Sequence, residues 1–380
     1  AWLVWAAENL ECREIRTDYD YLGQDGVRHS PVLLPSMPDE IWTKFDGKAF
    51  RSRAVCSDFS NGICHLPLLL VTYRCLKHPR ASRPLRATGS IISVIIPTRD
   101  NQHLLINAVE SLVRKADAPE NLEFIIVNNG RIGLENNEVF SEVAKKAKIK
   151  FIAFNEVFNW SRANNVASRC AEGEIFLFLN DDTVMLTESW DSILCGVLQD
   201  PTVGVLGAKL LYPDGTIQHG GFIFGMQTGP EHEGRWSTGS GPAGRWDAIR
   251  SAAAVTGAFM AIRSCDFFSI GPFDEEKLAI EFSDLDLCLR FRAIGKKIVY
   301  CGAIALTHHE SASRGMNLGR KKRRRRSRER KTYMKRWGEL ACADPYYHVA
   351  WSRKGACFDG LQLVSLEAIM NNCKEMRLFS

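Results

Sequence analysis

The sequence predicts an α/β fold built on a doubly wound, mostly parallel sheet, and three observations carry that expectation. From Ser90 onward, short β-branched apolar runs alternate with amphipathic segments at the spacing of strand–helix–strand units. The first run, residues 91–97, is almost wholly apolar, as strands covered on both faces are. Polar residues cluster directly after it and after later runs, where the carboxyl ends of a parallel sheet collect ligands.

Residues 1–89 are irregular, with Pro31, Pro35, Pro38, Pro67, Pro79 and Pro84 interrupting short apolar runs, and 77–88 has the composition of a linker. The periodicity then predicts a strand over 91–97, an amphipathic helix over about 103–115 and a second strand over 122–127. A strand at 151–154, a helix at 161–170 and a fourth strand at 175–179 continue the alternation. Beyond them, 203–211, 257–263 and 298–306 read as strands and 284–294 as a helix. Three zones result: 1–89, a central 90–318, and a basic helix with an aromatic-rich tail over 319–380.

Composition narrows the function classes. The 380 residues are 45% apolar and 24% charged, enough for a sizeable core. The net charge of +5 is unevenly spread, because 320–331 hold ten Lys or Arg against the single acid Glu329. The remainder is mildly acidic, which excludes a uniformly basic nucleic-acid binder. The twelve cysteines lie singly, without a CxxC pair, so neither a disulfide framework nor a zinc site is expected. Reduced thiols in a cytoplasmic setting fit better. No apolar stretch reaches the roughly 18 residues of a membrane helix. The opening residues 1–7 lack a basic flank and a Met, and read as the interior of a longer or processed chain.

The strand ends carry the chemistry. Pro97-Thr98-Arg99-Asp100 follows the first strand, Asn128-Asn129-Gly130 the second, and Asn180-Asp181-Asp182-Thr183 the fourth. Adjacent carboxylates at a strand end are costly unless neutralised, and a hard divalent cation can do so while bridging a diphosphate. The competing reading makes Asp181 and Asp182 the N-cap and first-turn acids of a following helix.

The order of the motifs decides between them. Residues 93–100 (SVIIPTRD), Phe158-Asn159-Trp160-Ser161 with Asn164-Asn165, Leu179-Asn180-Asp181-Asp182-Thr183 and Thr256-Gly257-Ala258 occur in that sequence. Gly271-Pro272-Phe273-Asp274-Glu275, residues 284–290 (DLDLCLR) and residues 308–315 (HHESASRG) follow. Together they resemble the family 2 glycosyltransferases of the GT-A fold, particularly rhamnosyltransferase-like members acting on bacterial surface polysaccharides. The resemblance implies a Rossmann-like GT-A domain and an inverting transferase.

Carried over residue by residue, the resemblance implies that Pro97, Thr98, Arg99 and Asp100 line the nucleotide. Asn128 stands where the family usually has an aspartate that accepts from the base, and its side-chain oxygen can still accept. Asn164, Asn180 and Asp181 belong to the nucleotide-sugar set, Asp181 touching the ribose. Asp182 would bind Mn²⁺ or Mg²⁺ together with His308, or with its neighbour His309. Carboxylate with imidazole suits Mn²⁺ better. Asp284 is the candidate general base, preceded by Ser283 where the family has Glu or Asn; the alternative is a helix N-terminal acid without chemistry. Asp286 reads as structural, paired with Arg290 at i+4. Gly257 would let the backbone approach the donor sugar. His219-Gly220-Gly221 marks a bend near the acceptor side, and 225–246 is either a mobile acceptor loop or a surface excursion.

In the first zone, 19–28 and 65–74 resemble the closing part of a preceding family 2 domain. Partners implied are a nucleoside-diphosphate sugar and a saccharide or lipid-linked saccharide acceptor, within cell-surface polysaccharide synthesis. The basic block is either a solvated face or a peripheral contact, through 320–336, with the inner face of the cytoplasmic membrane. Each of its charges is worth about 1 kcal/mol near anionic lipid. Nucleic acid is not the expected partner. Two other classes stay open: a catalytically degenerate nucleotide-sugar-binding module, and a polybasic docking protein.

Overall fold

Three strands near the start, β1 (Glu14–Leu22), β2 (Arg28–Val32) and β3 (Ile63–Tyr73), form a sheet of order β2-β1-β3. β1 runs antiparallel to β2 and parallel to β3. Apart from these strands, the computed structural model describes residues 86–87, 89–99, 101–130, 133, 137–309, 319–362 and 364–365. Most of the expected linker and of the expected remnant domain lie outside the described residues, as do Asp100 and residues 310–315 of the last motif.

The main sheet starts with β4 (Ile92–Thr98), α1 (Gln102–Lys115), β5 (Leu122–Asn128), α2 (Glu138–Val143) and β6 (Lys148–Ala153). It continues through α3 (Trp160–Ser168), β7 (Ile175–Leu179), β8 (Thr183–Met185), α4 (Trp190–Leu198) and β9 (Val203–Leu211). β10 (Ile217–His219), β11 (Phe222–Met226), β12 (Gly229–His232), β13 (Ile249–Ser251) and β14 (Phe259–Arg263) follow. The last elements are α5 (Ser264–Ile270), α6 (Ser283–Ala293), β15 (Lys297–His308) and α7 (Arg320–Trp337).

The ten-stranded sheet has the order β13-β15-β9-β14-β7-β4-β5-β6, with β10 on β9 and β8 on β15. β4 pairs in parallel with β5 and β7, and β5 with β6. β14 enters antiparallel between β7 and β9, so the sheet is parallel with one reversed central strand plus short antiparallel edges. The doubly wound, mostly parallel sheet that the sequence predicts is present, with this one reversal. A purely apolar run does not encode its own direction, which is why the reversal of β14 was not legible.

Both faces of the sheet are covered, as the apolar runs demand. Val94, Ile96, Phe124 and Ile126 pack on one face with α1 and α4, while Ile95, Ile125 and Val127 pack on the other with α3 and α6. In α1 the buried stripe Leu104, Leu105, Ala108, Val109 and Leu112 recurs at helical spacing, and Arg114 and Lys115 in the last turn complement the helix dipole. Asn159 caps α3 by accepting from the Arg162 N–H at 2.9 Å.

Two further segments are tied down by side-chain contacts. Residues 225–246 are pinned by buried Glu233, which takes Arg250 at 2.8 Å, Arg245 at 3.0 Å and the Trp246 indole N–H at 3.1 Å. The tail beyond α7 folds back onto β11. There the Asp344 carboxylate accepts from the Phe224 N–H at 2.8 Å, and Tyr347 packs on Ile223 and Met226.

Candidate active site

The carboxyl ends of β4, β5 and β7 are tied to one another. Thr98 Oγ1 donates to Asp181 Oδ2 at 2.7 Å, joining the ends of β4 and β7. The Asn129 N–H donates to the Thr98 carbonyl at 2.8 Å, and the Asn129 amide reaches the carbonyl of Glu156 at 2.9 Å. Asn128 Oδ1 accepts from the Gly130 N–H at 2.8 Å, an Asx turn that closes the loop after β5. Gly130 is required there, because a Cβ would stand 1.9 Å from the Arg99 carbonyl oxygen. Pro97 and Thr98 are buried at the end of β4, and Arg99 is exposed.

β8 explains how Asp182 meets His308. Thr183 starts a strand, not a helix, so the capping alternative for Asp181 and Asp182 fails. That strand pairs antiparallel with the end of β15, Thr183 opposite His308, and the His309 N–H donates to the Asp182 carbonyl at 2.8 Å. His308 Nε2 then stands 3.0 Å from Asp182 Oδ1, whereas His309 contributes its backbone to the same corner. Asn180 Nδ2 lies 3.3 Å from His308 Nε2.

Gln218 fixes the imidazole. Its Nε2 donates to the His308 carbonyl at 3.3 Å, which orients the amide so that Oε1 accepts from His308 Nδ1–H. Nε2 is therefore the ring nitrogen turned toward Asp182. Asp182 is 5% exposed and its Oδ1 has no hydrogen-bond donor. A buried carboxylate oxygen without a donor, facing an imidazole nitrogen, fits a divalent cation. Among the described residues no third His, Cys, Asp or Glu joins them, so remaining positions would fall to water and ligand oxygens.

His219, next to Gln218, carries the structure to the floor of the site. Its Nε2 accepts from the Thr256 N–H at 3.3 Å, and its Nδ1–H donates to His232 Nδ1 at 2.7 Å. Burial keeps both rings neutral, with His232 pushed down to about 3. One residue on, the Gly257 N–H donates to Asp284 Oδ2 at 3.0 Å, while the Ala258 carbonyl accepts from Asn180 N at 3.2 Å. Asp182, His308, Gln218, His219, Thr256, Gly257 and Asp284 are thus one connected constellation. A Cβ on Gly257 would lie 2.8 Å from Trp160 Cη2, so the indole floors this turn.

Asp284 opens α6. Its Oδ1 accepts from the Leu285 N–H at 2.9 Å and part of its surface stays open. Burial among its neighbours pushes the carboxyl above the usual carboxylate range, against the pull of the Gly257 and Leu285 N–H groups. Phe282, just before the helix, holds a left-handed φ of 64° and stacks on Tyr333 of α7 at 5.2 Å. Asp286 is fully buried and receives Arg290 at 3.0 Å, Arg336 at 2.7 Å and the Trp337 indole at 2.9 Å, a structural role as expected.

Asn164 has no exposed surface, and its amide donates to the Trp160 carbonyl at 2.8 Å. The motif around it is a weld. Asn165 holds Phe273 and Glu275 at 2.7–3.0 Å, Asn159 holds the Glu275 carbonyl at 2.8 Å, and Arg162 pairs with Glu275 at 2.8 Å. At the other side, Tyr212 follows β9 and stacks on Trp236 at 3.9 Å. Trp236 is 61% exposed, and its N–H donates to the Ile217 carbonyl at 2.8 Å. The chain bends at Gly221, whose φ is 101°, where a bend was expected.

Sequence reasoning missed Gln218, Trp160 and the part played by α7. Gln218 left a readable signal, a polar pair with His219 after an apolar residue in a short strand. Its partner became visible only through the β9–β10 and β9–β15 pairings.

A strand-end acidic pair, an imidazole facing it and a carboxylate on the neighbouring helix thus meet at one end of the sheet. Residues 93–232 match the profile of glycosyl transferase family 2. Among curated proteins, it is 36% identical over 272 residues to the uncharacterized protein y4gI of Sinorhizobium fredii, spanning 71% of this chain and 30% of that one. It is 35% identical over 239 residues to the O-antigen biosynthesis protein RfbC of Myxococcus xanthus, 62% of this chain and 18% of that one. The chain thus spans less than a third of either relative. Among solved structures, the mannosyltransferase PcManGT from Pyrobaculum calidifontis, in complex with GDP-Man and Mn²⁺, superposes with TM-score 0.48 at 16% identity over 68% of each chain. GalNAc-T7 with UDP, GalNAc and Mn²⁺ gives 0.46 at 14% identity over 58% of this chain and 44% of that one.

Proposed function

We propose that this chain transfers a sugar, with inversion, from a nucleoside-diphosphate sugar to a saccharide or lipid-linked saccharide in cell-surface polysaccharide synthesis on the cytoplasmic side. The observation that carries the reading is the donorless Asp182 Oδ1 facing His308 Nε2 at 3.0 Å. The kinship with an O-antigen biosynthesis protein supports the polysaccharide setting.

In this reading Asp182 and His308 hold Mn²⁺ or Mg²⁺, which supplies charge neutralisation for the departing diphosphate. Thr98, Arg99, Asn128 and Asp181 bind the nucleotide, and Asn180 lies between them and His308. Asp100 joins this set by its place in the motif. Asn164 acts through the Trp160 carbonyl, shaping the floor under Gly257. Asp284 takes the proton of the acceptor hydroxyl as that oxygen attacks the anomeric carbon from the face opposite the diphosphate. Its raised pKa makes it a stronger base than an exposed aspartate. Trp236, stacked on Tyr212 beside the strand that carries Gln218, offers an apolar ring face to the acceptor sugar.

The test is metal-dependent release of nucleoside diphosphate from a panel of UDP-, GDP- and dTDP-sugars. Wild type should hydrolyse one donor slowly, Asp182→Ala should not, and Asp284→Asn should lower acceptor-dependent transfer by about 10²-fold or more. Equal inertness of all three across the panel would replace this reading with a nucleotide-sugar-binding module.

A further inference from the structure

Apart from Arg336, the positive charge on α7 is not used by the site just described. Every Lys and Arg of this helix except Arg325 is exposed. Arg325, Glu329, Tyr333 and Arg336 recur at intervals of four and three, and form the face turned to the protein. On that face Glu329 accepts from the Glu281 N–H at 2.7 Å, Tyr333 stacks on Phe282, and Arg336 pairs with Asp286. All three contacts fall within three residues of Asp284. The opposite face presents Arg320, Arg324, Arg328, Lys331 and Lys335 in a row.

We infer that this outward face docks the protein on an anionic lipid surface, while the inward face of the same helix seats the segment that carries Asp284. Eighteen helical residues make a rod about 27 Å long, and a straight row of cations matches a plane of headgroup phosphates. The guanidinium groups suit phosphate oxygens in forked pairs. Like charges four apart, such as Arg320 with Arg324 and Arg324 with Arg328, repel in water, so an anionic surface also favours the helix. Single-stranded nucleic acid fits less well, because it needs stacking rings beside the charges. Here Tyr333 is buried and the Trp337 indole is spent on Asp286. The docking goes beyond the sugar-transfer reading and does not depend on turnover.

The experiment is vesicle flotation of the full chain with phosphatidylcholine alone and with about one-third phosphatidylglycerol. Wild type should float with the anionic vesicles only, and raised NaCl should release it. A variant with Arg320, Arg324, Arg328, Lys331 and Lys335 all changed to Gln should lose at least about ten-fold in binding. Its circular dichroism, melting temperature and Mn²⁺ binding should stay at wild-type values, since the inward face is untouched. Equal flotation on neutral vesicles, undiminished flotation of the variant, or displacement from anionic vesicles by an equal charge of single-stranded RNA would overturn the docking. A donor-hydrolysis failure would overturn only the transferase reading.

Discussion

Gln218 meets His308 twice, its Nε2 donating to the His308 carbonyl at 3.3 Å and its Oε1 taking the hydrogen of Nδ1. The two contacts determine each other. An amide held by its NH₂ group offers its oxygen to the ring, so Nδ1 presents a hydrogen there and Nε2 is the nitrogen turned to Asp182. In the proposed site, a residue in this position would prepare a cation ligand without touching the cation.

Replacing that amide therefore has a specific consequence. Gln218→Leu should weaken Mn²⁺ binding about 10- to 100-fold, read by calorimetry. Gln218→Glu, which keeps an acceptor for Nδ1–H, should recover most of the loss. Equal binding by the Leu variant and wild type would show that the tautomer is set by something else.

Asp284 separates function from stability through its pKa. Burial raises it, so the folded protein holds this proton more tightly than the unfolded chain does. The linked stability is fully present below the unfolded pKa and is lost as pH rises through the higher folded value. At neutral pH the ionised carboxylate is thus a cost that Asp284→Asn removes. The variant should melt no lower than wild type at pH 7 while losing transfer. The wild-type rate should rise with pH through a value above the ordinary carboxylate range. A clear drop in melting temperature with transfer intact would make Asp284 a helix-capping acid.

Asp286 gives the opposite signature. It is fully buried and receives Arg290, Arg336 and the Trp337 indole. Asp286→Ala strands these donors and should cost about 3–5 kcal/mol, the range for breaking a buried ion pair. Thermal denaturation reads this directly, and an unchanged melting temperature would remove α7 from the list of elements that hold α6.

These contrasts show what the chain disclosed in one dimension. β4, β5 and β7 were legible because a strand covered on both faces is apolar along its length, and α1 because its buried stripe repeats at helical spacing. The helix α4 was passed over for the same physics: all nine of its residues are buried, so it has no polar face to give a period. Asp182 and His308 were legible as types of residue in an ordered set of motifs. Their meeting depends on β8 pairing with the end of β15, and three residues carry too little pattern to announce a strand. The grip of Gln218 and the inward face of α7 exist only in the fold. In sequence, Glu329 and Tyr333 are two residues inside a run of charge.

The most direct test of the account is Mn²⁺ binding to the folded chain, followed by the loss of the free-ion electron paramagnetic resonance signal. Wild type should bind saturably at one site, and Asp182→Ala and His308→Ala should each bind at least about ten-fold more weakly, while His309→Ala stays at wild-type affinity. Binding that survives both of the first two substitutions, in variants that melt as wild type does, would contradict it.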